Sequence, residues 1–211
     1  MMDIIQFSDI HGSSDLLSAM EKLVHGIDLV IVSGDVTSFG QKNYFDEFMK
    51  TLAATGVRSL YVPGNNDLPG FRLPRGVESI DGKKLEIDGL FIGGVGGSPP
   101  TPFNTPNEIP EEELARRLSN LGSVDILVSH SPPYGTPSDQ LKNGGHVGSR
   151  SVGEYILKNG PRLVLCGHVH EAVSKFQLGK SQVVNPGSAY ERRYSRIRLE
   201  DEGVRVSLLV F

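Results

Sequence analysis

Two periodicities alternate through the first 62 residues, and together they leave few folds open. Short apolar runs at 3–8 (DIIQFS), 28–33 (DLVIVS) and 58–62 (RSLYV) have the length and composition of buried strands. Between them, 13–25 and 41–55 carry apolar residues at helical spacing. Ser13 or Ser14 is placed to cap the first helix, and Gly26 and Gly56 stand where the two helices should stop. A β-α-β-α-β opening of this kind pairs its strands in parallel.

The middle of the chain changes character. Residues 83–88 and 90–97, joined at Asp88-Gly89, read as a hairpin, and 98–110 is too rich in proline for helix or sheet. A charged helix is expected over 111–121, a strand over 124–129, a Pro/Gly loop over 131–148, a helix near 149–159 and a strand over 162–166. The last third, with runs at 172–178, 181–185, 194–200 and 204–211, reads as antiparallel. No repeat or linker divides the chain, so one α/β domain over 1–211 is expected, with two packed sheets and helices outside.

Composition narrows the function classes. A chain of 211 residues with 38% apolar and 22% charged residues can bury a full core without staples. Its net charge of −4 argues against a dedicated nucleic-acid binder, which carries a basic excess. The single cysteine, Cys166, has no internal disulfide partner and fits a reducing compartment; it follows three apolar residues and reads as a small buried hydrophobe. No apolar run is long enough for a bilayer, and MMDIIQFSDIHG lacks a basic-then-apolar leader. A cytoplasmic protein without membrane contact is the expectation.

In open α/β sheets, ligands gather at the carboxyl ends of the strands. Five strand ends here are polar: Ser8-Asp9-Ile10-His11, Ser33-Gly34-Asp35, Gly64-Asn65-Asn66-Asp67, Ser129-His130 and Gly167-His168-Val169-His170. Alone, each has a bland reading as a cap, a turn or a solvated strand end. Together they would need five coincidences, and they take four of the six histidines. Of the others, His25 sits at a helix end where it suits the dipole, and His146 lies in the Gly-rich loop. In an extended segment His168 and His170 share a face. Two Asp, one Asn and four His without a thiolate suit Mn, Fe, Zn or Ni, whereas Mg and Ca prefer oxygen alone. Seven donors exceed the need of one ion and suit two that share a carboxylate, about 3.5–4 Å apart.

The ordered set Asp9-x-His11, Gly34-Asp35, Gly64-Asn65-x-Asp67, Ser129-His130 and Gly167-His168-x-His170 resembles the calcineurin-like metallophosphoesterase superfamily. NPGS at 185–188, HSPPYGTPSD at 130–139 and GGHVGSRSV at 144–152 look like its small, stand-alone prokaryotic branch. The resemblance implies a four-layer α/β/β/α sandwich of two mixed sheets flanked by helices. It implies one metal on Asp9, His11, Asp35 and His170, and a second on Asp35, Asn65, His130 and His168, with Asp35 bridging. Manganese is the favoured ion in vitro, and a small phosphodiester hydrolysed by in-line attack of a metal-bridging hydroxide is the implied chemistry.

One position departs from the family pattern. Many members have a histidine that assists the leaving group where this chain has Asn66, a carboxamide that cannot supply a proton at neutral pH. His146 is the candidate substitute acid, and Asn66, His146 and Arg192 are the candidate substrate contacts. The stretch 98–107 is positioned to overhang the site and restrict substrates. Two alternatives remain beside a phosphoesterase of small substrates: a protein-binding scaffold resembling the small retromer subunit, and a DNA nuclease. The complete donor set counts against the first and the acidic balance against the second. A homo-oligomer is compatible with all three.

Overall fold

The computed structural model describes residues 1–201 and 203–211. The first half runs β1 (Met2–Phe7), α1 (Ser14–Val24), β2 (Leu29–Val32), α2 (Lys42–Ala54), β3 (Arg58–Tyr61), β4 (Val77–Ser79), β5 (Lys84–Ile87) and β6 (Leu90–Val95). The second half runs α3 (Glu111–Leu121), β7 (Ile126–Ser129), α4 (Arg150–Asn159), β8 (Leu163–Leu165), β9 (Ser174–Leu178) and β10 (Ser181–Asn185). A 3-10 turn (Ala189–Glu191) then leads into β11 (Arg193–Glu200) and β12 (Gly203–Val210). Among the described residues, no helix is long and apolar enough to cross a membrane.

The strands form two six-stranded mixed sheets, ordered β12-β11-β1-β2-β3-β4 and β5-β6-β7-β8-β10-β9. Strands β1 to β4 are parallel, with β11 antiparallel to β1 and β12 antiparallel to β11. In the second sheet β6, β7, β8 and β10 are parallel, edged by antiparallel β5 and β9.

Strand alternation divides the core into three apolar layers. Ile4, Leu29, Ile31 and Leu60 of the first sheet meet Ile92, Ile126, Val128, Leu163 and Val184 of the second. On the other face of the first sheet, Ile5, Phe7, Val30 and Val32 pack against Leu16, Met20 and Val24 of α1 and Phe45, Phe48 and Leu52 of α2. Leu127, Val164 and Val183 do the same for Leu118 and Leu121 of α3 and Val152 and Ile156 of α4. Helix, sheet, sheet and helix therefore stack in the expected four layers. Near the carboxyl end of β1, Gln6 replaces an apolar residue and bridges the sheets. Its Nε2 donates to Ser33 Oγ (2.9 Å) and the Cys166 carbonyl (2.8 Å), and its Oε1 accepts from Ser195 Oγ (2.9 Å).

The helix ends follow local chemistry. Ser13, rather than Ser14, caps α1 by accepting from Leu16 N (3.3 Å), and Ser149 caps α4 by accepting from Val152 N (3.2 Å). Glu111, the first residue of α3, reaches across to the start of α4. It accepts from Arg150 N (2.9 Å), Ser151 N (3.1 Å) and both serine hydroxyls, at 2.9 Å for Ser149 and 2.6 Å for Ser151.

Two features depart from the sequence reading. Strand β4 is only three residues long, too short to display a period. The C-terminal third is not wholly antiparallel. Strand β10 runs parallel to β8, because β9 turns back outside it, and the two hairpins join opposite sheets. Alternation fixes which face a residue shows, not which strand becomes its neighbour.

The Glu111 link generates a stability prediction. Glu111→Ala strands two helix N–H groups and two hydroxyls, and it should lower unfolding free energy by about 1–2 kcal/mol in urea denaturation. An unchanged denaturation midpoint would contradict this role.

Candidate metal centre

The loops after β1, β2, β3, β7 and β8 turn sharply to bring their polar residues together. Among the described residues, eight non-glycine residues have positive φ, and Asp9 (54°), His11 (46°), Asp35 (53°) and His168 (69°) are half of them. Left-handed backbone is disfavoured for side chains of this size, and it persists where the surroundings over-determine it. Glycines make the close approach possible. A Cβ on Gly64 would overlap Asp35 Oδ1, one on Gly167 would overlap Ser8 Oγ, and one on Gly34 would overlap the His130 ring.

All seven expected donors converge. On one side, His11 Nε2 lies 3.1 Å from His170 Nε2 and 3.6 Å from Asp35 Oδ2, and His170 Nε2 lies 3.4 Å from Asp9 Oδ1. On the other, His130 Nε2 and His168 Nδ1 each lie 2.9 Å from Asn65 Oδ1, and His130 Nε2 lies 3.5 Å from Asp35 Oδ2. One oxygen of Asp35 thus faces both groups.

In their neutral forms, His11 and His130 turn acceptors inward. His130 Nδ1 lies 2.8 Å from the Ser33 carbonyl and His11 Nδ1 lies 3.2 Å from the Thr37 carbonyl. A carbonyl can only accept, so in each neutral ring the hydrogen is on Nδ1 and the Nε2 lone pair points inward. Inward-facing lone pairs beside carboxylate and amide oxygens call for a cation. Donors about 2.1 Å from one ion stand about 3.0–3.4 Å apart, close to the separations above. The donor set therefore fits divalent ions.

Burial alone would raise the carboxyl pKa of Asp9 and Asp35, but the imidazoles around them hold both below the usual range. Burial also opposes charge on the histidines. Asp35 overcomes it at His130 and raises that ring to about 9, and Asp9 likewise raises His170. His168, buried and beside His130, is pushed down to about 4.

A surrounding shell holds the donors. Asn66 donates twice to Asp35, from its backbone N to Oδ1 (2.7 Å) and from Nδ2 to Oδ2 (2.8 Å). The His168 N–H donates to the Asp9 carboxylate at 3.0–3.1 Å. In the NPGS segment, Ser188 Oγ donates to the Asp9 carbonyl (2.6 Å), and Asn185 Nδ2 donates to the carbonyls of Val169 (2.9 Å) and Ser138 (3.1 Å). Asp67, quoted in the motif but given no task from sequence, is buried and accepts five hydrogen bonds. These come from Val36 N, Gly64 N, Tyr61 OH, Thr37 N and Thr37 Oγ1, at 2.9–3.2 Å. It fastens the Asp35 loop to the Asn65 loop. Its motif position was a signal; its partners, distant in sequence, were not.

The remaining sequence candidates are not among the converging donors. His146 donates through Nδ1 to buried Asp139 (2.7 Å), and among the described residues its Nε2 has no partner. Its loop is tied to the His168–His170 segment by Asn185 and by a bond from Lys142 N to Glu171 (2.6 Å). Arg192 is not among the converging groups. Its Nε donates to the Phe211 main-chain oxygen (2.6 Å), and Phe211 N donates back to the Arg192 carbonyl (3.0 Å), so side chain and backbone both serve the end of β12. The Pro-rich loop is strapped down rather than free: Asn107 N donates to the Asn65 carbonyl and Asn107 Nδ2 to the Gly64 carbonyl, both at 2.9 Å. Cys166 is fully buried, and burial pushes its thiol pKa up.

The chain belongs to the calcineurin-like phosphoesterase family, whose model matches residues 2–172. Members are generally metal-dependent phosphoester hydrolases and typically bind two divalent metals. Over its length the chain is similar to the uncharacterized protein MJ1162 of Methanocaldococcus jannaschii, at 35% identity covering 95% of this chain and 96% of that one. Its fold is similar to the crystal structure of TT1561 of Thermus thermophilus, with TM-score 0.77, 22% identity and 98% of each chain covered. It also resembles GAP50, the anchor in the inner membrane complex of Plasmodium, with TM-score 0.61, 12% identity, and coverage of 99% of this chain and 84% of that one. Hydrolases and an anchor on related folds mean that function has to be argued from the site.

Asp67 supplies a test of this framework that needs no metal. Asp67→Asn keeps the volume but turns an amide N–H₂ toward donors, so stability should fall by about 1–3 kcal/mol in chemical denaturation. Wild-type stability in the variant would mean that the five bonds do not hold the loops.

Proposed function

We propose that this chain is a binuclear-metal-dependent phosphoesterase acting on phosphodiesters. The observation that carries the reading is Asp35 Oδ2, at 3.6 Å from His11 Nε2 and 3.5 Å from His130 Nε2, between two groups of donors. Asp9, His11, Asp35 and His170 would hold one ion, and Asp35, Asn65, His130 and His168 the other. Four imidazoles beside carboxylate and amide oxygens suit Mn, Fe, Zn or Ni, with Mn the choice for reconstitution. The diester preference rests on likeness to the small stand-alone members. Residues 1–211 would act as one domain, since residues from both sheets close the middle core layer. A scaffold would have no need of seven competent donors, and none has been lost.

Two divalent ions held by these residues would supply Lewis-acid charge to phosphoryl oxygens and a lowered pKa to a bound water. The chain supplies the rest. Asn66 keeps both oxygens of Asp35 in place, and the Ser33 and Thr37 carbonyls keep the hydrogens of His130 and His11 on Nδ1. Asn66 offers no acid to the leaving group. His146 is assigned that proton transfer, from Nε2, with Asp139 orienting the ring through Nδ1.

Metal-stripped protein assayed on mono- and diesters with Mn, Ni, Zn, Fe and Mg tests the reading. Diester hydrolysis should return with Mn. Asp35→Asn should reduce it by about 10²-fold or more and weaken both sites, whereas Asn65→Ala should weaken only one. Failure of every metal to restore hydrolysis of any ester would overturn the proposal.

The role of His146 has a separate signature. His146→Ala should slow esters with alkyl leaving groups by about 10²-fold, change nitrophenyl esters little, and leave metal content intact. A small, uniform effect would confine His146 to packing against Asp139.

A further inference from the structure

Asn65 can serve a cation only through its oxygen, and a carboxamide presents oxygen or N–H₂ according to its neighbours. In this structure Nδ2 lies 2.9 Å from Thr105 Oγ1 while Oδ1 faces His130 and His168. Which way the amide settles depends on what Thr105 does with its single hydroxyl proton. Thr105 Oγ1 is 2.8 Å from Glu108 Oε1, which also accepts from the Thr105 N–H (2.8 Å) and from the Thr101 hydroxyl. Burial works against charge on Glu108, yet these donors hold its pKa down to about 2, so at neutral pH it only accepts.

The hydroxyl proton of Thr105 is therefore committed to Glu108, and the lone pairs of Oγ1 face Asn65. Only the N–H₂ of Asn65 can complete that contact. Were the amide reversed, Oδ1 would meet a lone pair on Thr105, and Nδ2 would donate to His130 Nε2 and close the lone pair that a metal needs. The Asn107 straps at 2.9 Å keep the loop at the distance where this selection operates.

We propose that Thr105, with its hydroxyl proton drawn off by Glu108, is a positioning residue that fixes the Asn65 amide with its oxygen inward and so sets the affinity of the second metal site. The inference rests on the two-metal reading above. It gives the Pro-rich loop a task behind a ligand.

The test is a Mn(II) titration of metal-free protein, reading free Mn(II) by electron paramagnetic resonance, with thermal unfolding alongside. Wild type should bind two ions. Thr105→Val, which keeps shape but removes the hydroxyl, should weaken one site by about 10–100-fold and leave the other within about 2-fold. Thr105→Ser should restore wild-type binding, which a role in packing alone would not predict. Glu108→Gln, which replaces a pure acceptor by a group that can also donate, should weaken the same site as Thr105→Val, and it carries the comparison if that variant fails to fold. Two wild-type affinities in Thr105→Val, or in Glu108→Gln where the valine variant does not fold, would overturn the positioning role while leaving the two-metal reading intact. Equal weakening of both sites together with a lowered Tm would also overturn it, by making the loop a general support. Fewer than two ions on wild type would overturn the two-metal reading, and this inference with it.

Discussion

The Asp35 carboxylate is the constraint on which the rest depends. It is almost completely buried, its backbone is left-handed, and it stands between His11 and His130. Taking a carboxylate out of water costs several kcal/mol unless partners replace the lost hydration. Here two hydrogen bonds from Asn66 do so directly, and the missing Cβ of Gly64 leaves room for the oxygen that accepts the first. Gly34, Asp35, Gly64 and Asn66 therefore form one steric unit, although Gly64 comes 29 positions after Asp35.

That unit needs a rigid frame, and the fold provides it at the strand ends. Parallel strands in both sheets deliver their loops to the same rim, and Gln6 crosslinks the sheets just beneath it. Asp67 and the NPGS segment then tie loops from different strands to each other. The left-handed residues Asp9, His11, Asp35 and His168 lie in the loops that these restraints hold. Strain of this kind is maintained by packing elsewhere, and a site held this way keeps its donors in place before any ion arrives.

Much of this was legible in the sequence because it rests on local signals. Among the described residues the four helices lie where the sequence reading put them, the first two from apolar period and end signals, and the polar strand ends pointed to the seven residues that converge. The missing pieces are long-range. Strand β4 has three residues and no period, and the parallel partnership of β10 with β8 depends on where β9 turns back. Thr105 and Glu108 lie in a stretch whose composition says only "loop", and their meaning appears once Asn65, 40 residues earlier than Thr105, is placed beside them. Arg192 had the right chemistry for a phosphate, but its hydrogen bond goes to Phe211, which no local pattern announces.

The central claim is that Asp35 joins two metal sites, and a direct measurement is anomalous diffraction at the manganese edge from crystals grown with Mn(II). The expected result is two anomalous peaks about 3.5–4 Å apart with Asp35 bound to both, Asp9, His11 and His170 around one, and Asn65, His130 and His168 around the other. A single peak, or two peaks of which only one touches Asp35, would contradict it.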